Sequence, residues 1–221
     1  MPMLVLMISV ICCTGIMPRL KQKLRFLLKN AARIAVVGIG SELRGDDAVG
    51  LLVLERLRKN ISELREGGHV ARHGRQPARL CPSRACAGQG AARPGNAVPP
   101  IVKRPILKFF NGGTAPENLT GEIRRFKPSH LIMIDAVDMG KKPGTIALLD
   151  LKNIESTAFL THKLPVKLML DYMAAEMTFT TIFIGIQPRS LEFEGKISKP
   201  VIRAGRQTAD LLLSAAQSIG S

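Results

Sequence analysis

A chain of 221 residues can bury one good core, and its net charge of +15 at pH 7 first suggests a nucleic-acid partner. Thirteen of those charges, however, lie in residues 1–33 and 67–105, which contain no acids, so the basic character belongs to two segments and not to the body. One tyrosine and no tryptophan leave little to stack on bases, and Cys12, Cys13, Cys81 and Cys86 fall in the same two segments, which disfavours both a nucleic-acid binder and a disulfide-stapled secreted fold. A cytoplasmic protein with a cysteine-free core is the expectation.

Residues 1–17 are apolar and uncharged. They lack the basic start of a signal peptide and are marginally short for a spanning helix, so the segment reads either as a leader upstream of the true start at Met17 or as a membrane anchor. Residues 18–32 predict a basic helix with Leu20, Leu24, Leu27 and Leu28 on one face. Ile34–Val37 then reads as a buried strand, and Gly38, Gly40 and Gly45 turn the backbone sharply behind it. Asp46 suits the N-cap of a helix that buries Leu51, Leu52, Leu54 and Leu57 and ends near Asn60.

This strand, turn and helix do not make a nucleotide site. A dinucleotide-binding turn needs a third glycine where Leu43 stands, and a phosphate loop needs Gly-Lys-Ser/Thr where Asp46 follows Gly45. The pair Asp46 and Asp47 would repel phosphate and suits a metal ion or a cationic substrate; alternatively both aspartates simply cap the helix.

Residues 67–105 are rich in Arg, Ala, Gly and Pro without apolar periodicity, which predicts a disordered insertion. His69, His73, Cys81 and Cys86 have zinc-like spacing there, yet only Val70 and Leu80 are on hand for a mini-core, so a zinc module is not expected. Order resumes with a strand at Ile106–Phe110 and a second glycine turn, Asn111-Gly-Gly-Thr114, where Thr114 and Glu117 read as a capping box with Pro116 in the first turn. His130–Asp135 is a fully buried strand ending in Asp135, with Asp138 just beyond, and Gly144–Leu149 is a fourth. His162 precedes a helix with Leu168, Met169, Tyr172 and Met173 inward; Phe179–Ile186 is the last strand and a long helix begins near Pro200. No internal repeat is visible. Strands alternating with helices predict a single α/β domain over 18–66 and 106–221, a three-layer sandwich of about five mostly parallel strands with helices on both faces.

Asp47, Asp135 and His162 each border a strand-to-helix transition, where side chains converge at one edge of an open sheet. Two carboxylates and an imidazole make a mixed oxygen and nitrogen site suited to zinc or nickel. Taken singly, an aspartate after a strand is an ordinary turn residue, and a histidine at a helix start an ordinary surface or capping group.

Five stretches in order, residues 38–50, 111–118, 134–140, 161–165 and 184–188, give the chain a resemblance to the hydrogenase maturation endopeptidases, over roughly 22–66 and 106–219. The resemblance implies a protease that removes the C-terminal extension of a [NiFe] hydrogenase large-subunit precursor after nickel insertion. It implies that Asp47, Asp135 and His162 form the metal site, for a nickel ion carried by the substrate, with no organic cofactor. Gly112, Gly113, Thr114 and Asp138 are the matching substrate-binding candidates. Residues 1–17 and 67–105 have no counterpart in the family. The rival readings are a non-catalytic metal-binding accessory protein and, should residues 1–17 be an anchor, a membrane-anchored binding protein.

Overall fold

The apolar runs of the sequence form the strands of one five-stranded sheet. The computed structural model describes residues 16–67, 105–150 and 163–219. In chain order the elements are α1 (Ile16–Leu27), β1 (Arg33–Ile39), α2 (Val49–Gly67), β2 (Ile106–Gly113), α3 (Thr120–Phe126), β3 (His130–Ala136), β4 (Ile146–Leu149), α4 (Lys163–Ala174), β5 (Thr180–Ile186) and α5 (Lys199–Gln217). Short 3-10 turns, Gly45–Ala48 and Pro116–Leu119, lead into α2 and α3.

The strand order is β2-β1-β3-β5-β4. β1 pairs in parallel with β2 and β3, and β3 with β5; only the edge strand β4 runs antiparallel. Every residue of β3 is buried, as a central strand covered on both faces requires. Ile34, Val36, Ile132 and Ile134 join a core with α1, α2 and α5, while Ala35, Val37, Leu131 and Met133 join one with α3 and α4. The expected three-layer α/β sandwich is thus observed.

The crossover from β1 to β2 runs through α2 on one face, and that from β2 to β3 through α3 on the other. The chain therefore reverses its winding between β1 and β3, opening a crevice at their C-terminal ends.

Several local expectations need correction. α2 continues past Asn60 to Gly67, because no glycine or proline intervenes to stop it. α1 ends at Leu27, earlier than expected, although Leu20, Leu24 and Leu28 are buried as read. Leu168 and Tyr172 face solvent; α4 buries Val166, Met169 and Met173, which lie on the opposite side of the helix. Thr114 forms no capping box, since the turn starts at Pro116 with Ala115 before it and no side-chain cap. Among the described residues no helix is long and apolar enough to cross a membrane. Most of the 1–17 leader (residues 1–15), the zinc-like quartet and most of the 67–105 insertion (residues 68–104) lie outside the described residues.

Candidate active site

The crevice between β1 and β3 is built by close backbone packing. A Cβ at Gly50 would overlap the carbonyl oxygens of Ile39 and Ile134, and one at Gly38 would overlap that of Gly50. Only hydrogens at these positions let the start of α2 settle onto the ends of β1 and β3. Gly40 adds a left-handed φ of +131°, which a side chain would strain, and its amide donates to the Gly113 carbonyl at 2.8 Å. The two glycine turns are thereby tied together, and the turn carrying Asp47 is pressed against the end of β3, which carries Asp135.

Both carboxylates are buried, Asp47 at 1% and Asp135 at 0% exposure. Side chains at strand ends beside a turn are expected to be at least partly open to solvent; the docking of α2 covers these two instead. Asp47 Oδ2 accepts the Ser41 amide at 2.8 Å, but its Oδ1 and both oxygens of Asp135 have no hydrogen-bond partner among the described residues. Buried polar atoms are almost always partnered, so three orphan oxygens at one crevice mark a place prepared for something else. Burial first, and then the neighbouring charge of Asp47, push the Asp135 carboxyl up to about 8; the Ala136 amide opposes this weakly, its geometry short of a full hydrogen bond. Such a pair either shares a proton or embraces a cation. Among the described residues no third carboxylate, histidine or cysteine completes a metal-binding group. His162 lies outside them, one residue ahead of α4 in the sequence.

Asp46 behaves differently from its neighbour. It caps nothing in α2; its carboxylate accepts the amides of Arg189 (2.7 Å), Ser190 (3.3 Å) and Ser198 (2.5 Å) and the Ser198 hydroxyl (2.9 Å). It ties the turn before α2 to the loop before α5. Nothing local in the sequence announces this, because the partners lie about 150 residues away. Asp138 is exposed, and Gln187 at the end of β5 holds it; sequence reading passed over Gln187 as the end of a strand. Gly112 is buried, Gly113 half-buried and Thr114 exposed beside the first glycine turn. The groove lined by Glu42, Leu51, Leu52, Glu55 and Arg58 runs along α2 and includes neither Asp47 nor Asp135.

Fold and site together define an α/β protein of the doubly wound type with two buried carboxylates at the switch point of the sheet. Residues 101–215 match the family described as hydrogenase maturation protease, a span that holds Asp135 and His162 but not Asp47. A protein of Methanocaldococcus jannaschii assigned to hydrogenase maturation proteases is 27% identical over 194 residues, covering 88% of this chain and 94% of that one. The hydrogenase 3 maturation protease of Escherichia coli is 36% identical over 92 residues, 41% of this chain and 58% of that one. The crystal structure of a [NiFe] hydrogenase maturation protease from Thermococcus kodakarensis superposes with a TM-score of 0.62 at 24% identity, covering 89% of this chain and 99% of that one, a likeness of fold. The chain belongs to the hydrogenase maturation protease family and is a peptidase.

Proposed function

We propose that this chain is a cytoplasmic, nickel-sensing endopeptidase that removes the C-terminal extension of a [NiFe] hydrogenase large-subunit precursor. The observation that carries the reading is the pair of buried carboxylates, Asp47 and Asp135, with three oxygens unpartnered among the described residues, at the switch point of a hydrogenase maturation protease fold. Three buried oxygens unpartnered among the described residues suit a hard or borderline divalent cation. The nickel ion arrives as part of the substrate. Asp47 and Asp135 receive it together with His162, whose imidazole is a common metal ligand.

In this reading the ion docks the precursor in one orientation and polarises the peptide group beside it, while one of the aspartates serves as general base. Gly112, Gly113 and Thr114 flank the crevice on the β2 side and Asp138 on the β3 side, and they receive the chain to be cut. The deep burial of the pair supports a gating role, because a precursor without nickel brings no cation to displace the proton that Asp135 keeps in the empty site. The test is cleavage of matched nickel-loaded and nickel-free precursors by the wild type and by Asp47→Asn, Asp135→Asn and His162→Ala. Cleavage confined to the loaded precursor and lost in all three variants is the expected result. Equal cleavage of both precursors, or full activity of any variant, overturns the nickel-sensing site.

A further inference from the structure

The turn after β3 is held by a single residue of β5's end. The backbone amide of Gln187 donates to the Thr145 carbonyl at 2.9 Å, and its carbonyl accepts the Gly144 amide at 2.8 Å. Its side-chain Oε1 accepts the amides of Met139 (2.7 Å) and Lys141 (3.1 Å). Its Nε2 donates to Asp138 Oδ1 (3.0 Å) and to the Pro188 carbonyl (3.2 Å). Gln187 is itself buried, at 6% exposure, and every hydrogen-bonding position of its amide is used. Residues 138–145 therefore stand on a fixed support and do not hang as a free loop.

The residue presented by this support is Asp138, three positions beyond Asp135 and at the same edge of the sheet. One of its oxygens is spoken for: Oδ1 accepts both Gln187 Nε2 and the Gly140 amide at 3.0 Å. The other, Oδ2, has no partner among the described residues, and the side chain is exposed. Lys141 and Lys142 of the same turn make no ion pair with it, so among the described residues its charge is not used.

Resting on the function proposed above, we infer that Gln187 is a positioning residue that aims Asp138, and that Asp138 selects a cationic side chain of the precursor beside the bond to be cut. A carboxylate held by two donors on one oxygen keeps the other in a fixed direction, which suits a lysine, arginine or protonated histidine. The Gln187 hydrogen bond and then the Gly140 amide hold the Asp138 carboxyl below its ordinary range, so the group is ionised wherever the enzyme works. Asp138 would contact substrate; Gln187 acts only through it.

The experiment measures binding and cleavage of the nickel-loaded precursor side by side, using Asp138→Asn, Gln187→Leu and the double variant. Precursors in which each basic residue near the cleavage point is neutralised in turn complete the set, with melting as the check on folding. Asp138→Asn is expected to weaken binding and raise KM about tenfold, a difference of about 1.4 kcal/mol, with kcat changed by less than about twofold. Gln187→Leu should act in the same direction and add nothing in the Asp138→Asn background, and one precursor substitution should be non-additive with Asp138→Asn. Unchanged binding by folded Asp138→Asn, or full additivity with every precursor substitution, overturns the inference. If the wild type binds without cleaving, the peptidase step fails, while lost binding in Asp138→Asn still supports the selection. A wild type that neither binds nor cleaves overturns both.

Discussion

Replacing Asp135 by asparagine should change how stability depends on pH. The folded-state carboxyl titrates near 8 against an ordinary value of 3.8, chiefly because it is buried and secondly because Asp47 is close. Between those values the folded chain keeps the proton and the unfolded chain loses it. Stability therefore falls as pH rises through this window, and the loss is complete above about pH 8. One unit is worth about 1.4 kcal/mol, which sets a ceiling of about 6 kcal/mol. Local rearrangement and water entry reduce this, so the expected advantage of Asp135→Asn over wild type is about 2–4 kcal/mol at pH 8.5, shrinking to near zero at pH 4. In melting temperature this is about 5–15 °C. Buried His130 contributes with the opposite sign, since its depressed value makes stability rise with pH, but it does so in both proteins and cancels in the comparison. Metal-free thermal melts of the two proteins at pH 4, 6, 7.5 and 8.5 make the measurement. A difference that stays constant with pH, or a variant less stable than wild type at pH 8.5, refutes the buried, unpartnered carboxyl.

Three further outcomes are open to direct measurement. Nickel binding to the wild type below pH 8 should release about one proton, because Asp135 must ionise to bind; titration calorimetry in buffers of different ionisation enthalpy reads this, and Asp135→Asn should release none. Asp46→Ala should cost about 3 kcal/mol or more in denaturant unfolding, since it strands three amides and a hydroxyl, and a loss below about 1 kcal/mol would mean that water replaces the carboxylate freely. Gly50→Ala should destabilise by about 1–3 kcal/mol from overpacking against Ile39 and Ile134, despite a helix-propensity gain of about 1 kcal/mol, and a more stable variant would show that α2 does not need its close approach.

The framework was legible because it is written in short-range pattern. Apolar runs at 34–37, 130–135 and 179–186 mark buried strands, and the aspartates that end or follow them fall at one sheet edge by topology alone. What escaped depends on which surface is covered. The burial of Asp47 and Asp135 follows from hydrogens at Gly38 and Gly50 that admit α2, a contact between segments visible only once they meet. A glycine in the first turn of α2 was the available signal, since it weakens a helix and calls for a packing reason. Leu168 and Tyr172 misled because α4 has apolar residues on both of its sides. Tyr172 instead lies beneath the Arg124 guanidinium, 5.2 Å from its ring centre. Asp46 and Gln187 were opaque for a simpler reason, as their partners are distant in sequence and mostly backbone amides, which carry no residue signature.

The Asp46 tie also constrains when the enzyme can come into being. Its two ends are 152 residues apart at the longest, so a chain emerging from the ribosome cannot close it until Ser198 is free. Until then a carboxylate meant for burial stays in water, and the turn that bears Asp47 is held from the sheet side alone. Closure entropy grows only with the logarithm of length, so making a loop of this size a third longer would cost about 0.3 kcal/mol. Lengthening that would be ruinous inside a hairpin is nearly free here, because the tie already spans most of the chain.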